Sequence, residues 1–183
     1  MSKPEDKSIL VVDDEPDVQL FLSSTLADAG FHVVTASNGL DAYNRLKESI
    51  PALITLDLVM PRQSGVVFYK RVRKNPKYLH IPVLIVTAHA HDDLGQEDFG
   101  DIMKGIDAPT PDGFLEKPVQ PTELVRKVGE LTGADVSAYV NDATEDARSS
   151  VLDKLRGADA ATLTEVQALL ASKRQPKDTG NCG

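Results

Sequence analysis

Cysteine, positive charge and long apolar runs are all scarce in this chain of 183 residues. The single cysteine, Cys182, is the second-last residue and has no partner in the chain, which excludes a fold held together by disulfide bonds. No apolar stretch approaches the roughly 18 to 20 residues that a membrane helix needs. The first residues are polar and of mixed charge, so we expect a cytoplasmic protein that does not enter a membrane.

The charge balance argues against nucleic acid as a partner. The formal net charge is −8, whereas a protein that neutralises several DNA phosphates normally carries a clustered positive face. We therefore expect no DNA binding. The length indicates one domain of ordinary size with a small appendage, and the composition is that of a globular protein.

Short β-branched runs alternate with amphipathic segments between residues 8 and 131, the pattern of a parallel sheet with crossover helices. Three of the runs are almost entirely apolar, as strands buried on both faces must be. We predict an α/β fold, a doubly wound five-stranded parallel sheet with helices on both faces. The predicted strands are Ile9–Val12, Phe31–Ala36, Leu53–Leu58, Val83–Thr87 and Gly113–Glu116.

Most of the intervening segments carry clear sequence signals for the start and the end of a helix. The first helix is predicted to be capped by Asp14 or Glu15, to have Pro16 in its first turn and to stop at Gly30. The others are predicted after Asn38-Gly39, over Ser64–Lys74, over about Asp92–Lys104 and after Pro121. Their predicted inward positions are Val18, Phe21, Leu22 and Leu26, then Leu40, Tyr43 and Leu46, and finally Leu124, Val128 and Leu131.

The pattern changes after Thr132-Gly133, where aromatic residues nearly vanish. Two short helices are predicted there, about Ala143–Arg156 and Leu163–Arg174, and the stretch from Gln175 onward is expected to be disordered. The predicted domains are therefore 7–132, a compact domain, and 133–183, a short helical extension.

Polar residues stand at the carboxyl ends of four predicted strands, where ligands bind in parallel α/β sheets. They are Asp13 and Asp14, Asp57, Thr87 and Lys117. Neighbouring carboxylates repel one another, more strongly in a partly buried cleft than in water, so this cluster needs a cation. A hard divalent ion with oxygen ligands fits, and Mg²⁺ is the usual one.

At these residues the sequence resembles the response-regulator receiver domains of two-component phosphorelay systems, of which the chemotaxis regulator is one. Four blocks occur in the family's order over about residues 7 to 132. They are Leu-Val-Val-Asp13-Asp14-Glu15, Leu-Asp57-Leu-Val-Met60-Pro61 with Gly65 following, Val-Thr87-Ala88, and Phe114-Leu-Glu-Lys117-Pro118. The resemblance implies the flavodoxin-like strand order 2-1-3-4-5.

The resemblance also implies a role for each matching residue. Asp57 would accept a phosphoryl group from a sensor histidine kinase or a histidine phosphotransfer protein. Mg²⁺ would be held by Asp14, Asp57 and the backbone carbonyl of Val59, with Asp13 reaching it directly or through water. The phosphoryl-binding residues would be Lys117, Thr87 and Ala88, the switch residues Thr87 and Phe114, and the Lys117–Pro118 bond would be cis.

Phosphorylation would then change contacts with a downstream protein partner or a second copy of the chain, in a signalling protein that is not an enzyme. Val59 departs from the family, because many receivers carry a polar side chain there that holds the hydrolytic water. A long-lived phosphorylated state is therefore expected, to which His89 could contribute either way.

Two other functions stay open. One is a receiver-like module that binds partners without phosphorylation. The other is a hydrolase with an aspartyl-phosphate intermediate, like the haloacid-dehalogenase phosphatases. Those enzymes carry an aspartate as the second acid, two residues after the nucleophile, whereas here Asp13 is followed by Asp14 and then Glu15, with no aspartate at position 15.

Overall fold

The computed structural model describes residues 2–61, 64–87 and 108–156. Five parallel strands form one sheet in the order β2-β1-β3-β4-β5, which confirms the predicted fold. The strands are β1 (Ser8–Val12), β2 (His32–Ala36), β3 (Leu53–Leu56), β4 (Val83–Thr87) and β5 (Gly113–Glu116). The described helices are α1 (Pro16–Asp28), α2 (Gly39–Glu48), α3 (Ser64–Lys74), α4 (Pro121–Thr132) and α5 (Ser137–Arg156), besides a 3-10 turn at Pro4–Asp6.

Helices cover both faces of the sheet, and the central strands are therefore buried along almost their whole length. One hydrophobic cluster joins the sheet to α2 and α3. The second joins it to α1 and α4. The carboxyl ends of β1, β3, β4 and β5 therefore lie side by side at one edge.

Two of the predicted inward positions are wrong. Phe21 on α1 is 39% exposed, because it lies at the rim of the helix face whose centre is Leu22 and Leu26. Leu40 on α2 is 68% exposed, because the buried positions of that helix are Gly39, Ala42 and Leu46. Tyr43 is partly buried, and the inward residues predicted for α4 pack into the core.

The N-cap of α1 is Glu15, one of the two predicted positions, but its side chain accepts no capping hydrogen bond. The carboxylate of Asp13 accepts from the backbone N–H of Glu15 instead, at 2.9 Å. The side chain of Glu15 is thus available for the contact with Lys117 described below.

The described residues divide into two units, with the division between Val140 and Asn141. In the first, Val136 and Tyr139 pack against the cluster under α1 and α4, and Ser2 pairs with Ala134. The helix predicted over Ala143–Arg156 begins earlier, since α5 starts at Ser137. The helices predicted at Asp92–Lys104 and Leu163–Arg174, and the end from Gln175, lie outside the described residues. Within the described part of the chain, no helix is both long and apolar enough to span a membrane.

Candidate functional site

Four strand ends bring the predicted site residues together. Asp13 directly follows β1, Asp57 follows β3, Thr87 ends β4 and Lys117 follows β5. The backbone keeps these ends in register: the N–H of Asp57 donates to the carbonyl of Val12 at 3.0 Å, and that of Lys117 to the carbonyl of Thr87 at 2.9 Å. Asp13, Asp57 and Thr87 are each at least nine-tenths buried.

Lys117 is the cation at the centre of the site. Its Nζ lies 2.7 Å from Oδ2 of Asp57, 2.9 Å from Oδ2 of Asp13 and 3.2 Å from Oε1 of Glu15. Burial alone would lower the pKa of Lys117, but the contacts with Asp57 and Asp13 more than reverse this effect, so its pKa is raised. The side chain is therefore a fixed positive charge at neutral pH. The Lys117–Pro118 bond is cis, as predicted.

Asp13 has an incompletely satisfied carboxylate. One oxygen, Oδ1, accepts from the N–H of Glu15. The other, Oδ2, is buried, and its partner among the described residues is the ammonium of Lys117 at 2.9 Å. Burial raises the pKa of Asp13, although Lys117 acts in the opposite direction. Each oxygen thus has one partner, and an ionised carboxylate with about four lone pairs keeps capacity for a further cation.

The acidic residues form a group that could hold a metal ion. One carboxylate oxygen from each of Asp13, Asp14 and Asp57 lies within 4.8 Å of the other two. Asp14 is half-buried, and its two partners are buried. Oxygen ligands are those that Mg²⁺ prefers, and three carboxylates that share one ammonium have lone pairs left, so the donor set fits that ion.

The loop after β3 is held closely against Asp57. The N–H of Val59 donates to Oδ1 of Asp57 at 2.8 Å, while the side chain of Val59 is half-exposed. Met60 is buried, as a packing residue should be. Gly65 is needed for close approach rather than for a turn: a Cβ there would lie 2.2 Å from the carbonyl oxygen of Asp57 and 2.8 Å from Cα of Leu58.

The two predicted switch residues differ in their surroundings. Thr87 is buried at the end of β4. Phe114 on β5 is 39% exposed, so its ring stands at the surface rather than in the core. Ala88 and His89 lie outside the described residues.

Two contributors were missed by the sequence reasoning. Glu15 joins Asp13 and Asp57 around Lys117, and Gln19 donates to the backbone carbonyl of Asp13 at 3.2 Å. Glu15 could have been identified from the sequence, because it is an acid that directly follows the predicted pair Asp13 and Asp14. Gln19 could be identified only from the structure, because its contact depends on how α1 lies relative to the end of β1.

An apolar cleft of about 590 Å³ opens beside Lys117, between α1 and the segment after β5. Glu15, Asp17 and Lys117 form its polar rim. Its apolar lining consists of Val18, Phe21, Leu22, Pro118 and Val119. The partial exposure of Phe21 is therefore part of a concave surface that leads to the site.

The fold and this acidic site with one bridging lysine define a class of phosphate-accepting signalling domains. A family model for the response regulator receiver domain matches residues 9–129, so the chain belongs to the response regulator receiver family of two-component systems. Members of this family interact with histidine kinases and bind Mg²⁺ at an acidic pocket.

Several known proteins are similar to the chain. Response regulator Rre1 of Synechocystis is 32% identical over 170 residues, which cover 92% of this chain and 64% of Rre1. The phosphate regulon transcriptional regulatory protein PhoB of Escherichia coli is 34% identical over 122 residues, 67% of this chain and 50% of PhoB. The chemotaxis response regulator CheY4 of Vibrio cholerae superposes with a TM-score of 0.58 at 29% identity, covering 68% of this chain and 98% of CheY4. The chain thus spans less than two thirds of Rre1 and half of PhoB.

Proposed function

We propose that the protein accepts a phosphoryl group on Asp57 from a histidine kinase or a histidine phosphotransfer protein, and that this modification changes its contacts with other proteins. The observation that carries the proposal is the ammonium of Lys117, fixed 2.7 Å from Asp57 and 2.9 Å from Asp13 at the edge where the strands end. Phosphoryl transfer requires positioning and charge neutralisation more than covalent assistance.

In the proposed reaction, a carboxylate oxygen of Asp57 attacks the phosphorus of a phosphohistidine. A P–O bond forms, the P–N bond breaks, and its electron pair returns to the imidazole of the donor. Lys117 neutralises charge on the transferred group and the carboxylate. Bound Mg²⁺, held by Asp14, Asp57 and the carbonyl of Val59 with Asp13 nearby, would supply further positive charge to the phosphoryl oxygens.

The donor would approach over the cleft between α1 and the segment after β5. Its apolar lining can bury the surface of a partner helix, and its rim ends at Lys117. Glu15 and Asp17 on the same rim favour a donor surface with positive charge.

After transfer, the hydroxyl of Thr87 and the residue that follows it, Ala88, would bind phosphoryl oxygens. Thr87 would move towards the site, and Phe114 would turn inward behind it to alter the surface near β5. The half-exposed ring of Phe114 supports this order of events, because the unphosphorylated state would hold it outside. The output would be a protein contact, including one with a second copy, made by a cytoplasmic protein without DNA-binding activity.

The test is the intact mass after incubation with acetyl phosphate and Mg²⁺. We expect the gain of one phosphoryl group, lost in an Asp57→Asn variant and in chelator, and kept in an Asp41→Asn variant that neutralises an acid on α2. A complete absence of the gain would instead favour the module that binds partners without phosphorylation. Repeated turnover of p-nitrophenyl phosphate would favour the hydrolase.

The lifetime of the modification is a second consequence. The side chain of Val59 is half-exposed next to Asp57 and has no group that could orient a water molecule. We expect the phosphorylated wild type to keep its label for much longer than seconds at neutral pH, and a Val59→Asn variant to lose it several-fold faster. Equal decay of the two proteins would contradict this role of Val59.

A further inference from the structure

A surface on α2 and α3, made of residues that are not part of the acidic site, combines fixed positive charge with exposed apolar side chains. On α2, Leu40, Tyr43 and Lys47 follow one another at helical spacing on one face. On α3, Val67 and Arg71 do the same. The two stripes meet where the guanidinium of Arg71 lies 3.5 Å from the centre of the Tyr43 ring. We call this surface the α2–α3 face and include in it Lys77, which follows α3.

The cations of this face are held by aromatic rings rather than neutralised by acids. Nζ of Lys47 lies 5.1 Å from the centre of Tyr43, and Nζ of Lys77 lies 5.5 Å from that of Tyr78. The two tyrosines themselves pack edge to face at 6.0 Å. Among the residues that the structure describes, no carboxylate forms an ion pair with Lys47, Arg71 or Lys77. Their charges are therefore positioned and available to a partner.

The stretch of sequence that contains α3 is positively charged, although the chain as a whole is negatively charged. The net charge is −8, yet no aspartate or glutamate occurs between Asp57 and Asp92. The same stretch contains Lys70, Arg71, Lys74 and Lys77, besides Arg73, which is buried in its pair with Asp112, and Arg62, which lies outside the described residues. A local positive surface on an acidic protein attracts acidic partners while the rest of the molecule repels them, which gives orientation as well as attraction.

The apolar part of the face lies towards the first turns of the two helices. Leu40 is 68% exposed and Val67 59% exposed. The helix starts are in close contact, since a Cβ on Gly39 would lie 2.3 Å from the carbonyl oxygen of Ser64. A shallow groove of about 630 Å³ runs along α3 from Val67 to Pro76. The face thus changes from apolar at one end to basic at the other.

We propose that the α2–α3 face docks an acidic amphipathic segment of a partner protein. Apolar side chains of the segment pack on Leu40 and Val67, and its carboxylates contact Lys47, Arg71 and Lys77. Two exposed apolar residues give too small a patch for membrane insertion, and the acidic remainder of the chain repels nucleic acid over the length of a duplex. The docking does not require Asp57, so its test is independent of the phosphorylation proposed above.

The test is fluorescence anisotropy on the full chain. The probe is a labelled 16-residue peptide with leucines on one helical face of its first half and glutamates in its second half. We expect saturable binding, weakened at least tenfold in an Arg71→Gln, Lys77→Gln variant and also in a Leu40→Ser, Val67→Ser variant. A matched pair on α4, Arg126→Gln and Lys127→Gln, removes the same charge from cations paired with Glu130 and should leave the affinity unchanged.

A scrambled peptide of the same composition, a 20-base-pair DNA and phosphatidylglycerol vesicles are measured in parallel. Equal affinity for the scrambled peptide, or stronger binding of DNA or vesicles through the same cations, would overturn the proposal. So would self-association of the chain that these variants abolish, since the face would then bind a second copy. Circular dichroism confirms that each variant is folded.

Discussion

Removal of the Lys117 ammonium should destabilise the protein, and Mg²⁺ should reverse much of the loss. The ammonium is 2.7 Å from Asp57 and 2.9 Å from Asp13, and its side chain is only 12% exposed. Loss of one partner from a buried ion pair costs about 3–5 kcal/mol, because the remaining charge is left buried. The cleft admits solvent on one side, so we expect Lys117→Met to lower the free energy of unfolding by about 2–4 kcal/mol in chelator.

A divalent ion can replace the missing charge next to the same carboxylates. At a metal concentration 100 times its Kd, binding stabilises a folded state by about 2.7 kcal/mol. We expect a larger stabilisation by Mg²⁺ in Lys117→Met than in the wild type, because in the variant the metal relieves two buried carboxylates that have lost their cation. Urea unfolding followed by circular dichroism, with and without Mg²⁺, measures both quantities.

The control is Lys127→Met, which removes an ammonium 3.4 Å from Glu130 on the surface of α4. Such exposed pairs contribute about 0–1 kcal/mol, and no metal effect is expected there. If Lys117→Met cost no more than this control, or if its cost were the same in Mg²⁺ and in chelator, the assigned electrostatics of the site would be wrong.

Three further predictions concern the packing of α3. Gly65→Ala should lower the free energy of unfolding by about 1–3 kcal/mol and slow the phosphorylation of Asp57, because a Cβ would lie 2.2 Å from the carbonyl oxygen of Asp57. An unchanged free energy in urea unfolding would contradict this contact. Arg73→Leu should cost about 1–3 kcal/mol, because the buried guanidinium donates to two backbone carbonyls and pairs at 2.6 Å with Asp112, which is 40% exposed. Arg71→Leu removes an exposed stacked cation and should cost under about 1 kcal/mol. Burial raises the pKa of Tyr69, so the folded state keeps the phenolic proton after the unfolded state has lost it, and stability should fall as the pH rises from about 10. The stability advantage of the wild type over Tyr69→Phe, measured by urea unfolding, should therefore shrink above about pH 10. A constant difference would contradict the raised pKa.

The sheet and most of its helices could be predicted from the sequence because each element has a local signal. The apolar runs fixed the strands to within two residues at either end, and Ser64–Lys74 was predicted with the bounds that α3 has. The gathering of Asp13, Asp57, Thr87 and Lys117 followed from topology alone, since parallel strands place their carboxyl ends at one edge.

Side-chain orientation at the ends of helices could not be predicted in the same way. Periodicity places Leu40 on the side of Tyr43 and Leu46, but the buried arc of α2 is set by the contact of Gly39 with α3. For Glu15, a capping role and an ion pair use the same carboxylate, and the choice depends on the position of Lys117, 102 residues away.

The pair of the buried Arg73 with the partly exposed Asp112 could not be predicted from the sequence for a similar reason. Its partners are 39 residues apart, and neither residue type suggests burial. The pair, together with the hydrogen bond from the hydroxyl of Tyr69 to the carbonyl of Pro109, attaches the segment before β5 to α3. Only the fold brings these groups together.

The helix α3 connects the two proposed sites and allows a test of whether they communicate. Its first turn contacts the backbone of Asp57 and Leu58 at Gly65, and its outer face carries Val67 and Arg71. A shift of this helix on phosphorylation would change the docking surface, and linkage requires that the bound segment change the phosphorylation equilibrium by the same factor. We therefore expect the peptide affinity to differ severalfold between the phosphorylated and unphosphorylated chain, as measured by anisotropy. Equal affinities in the two states would mean that α3 transmits nothing and that the α2–α3 face binds its partner constitutively.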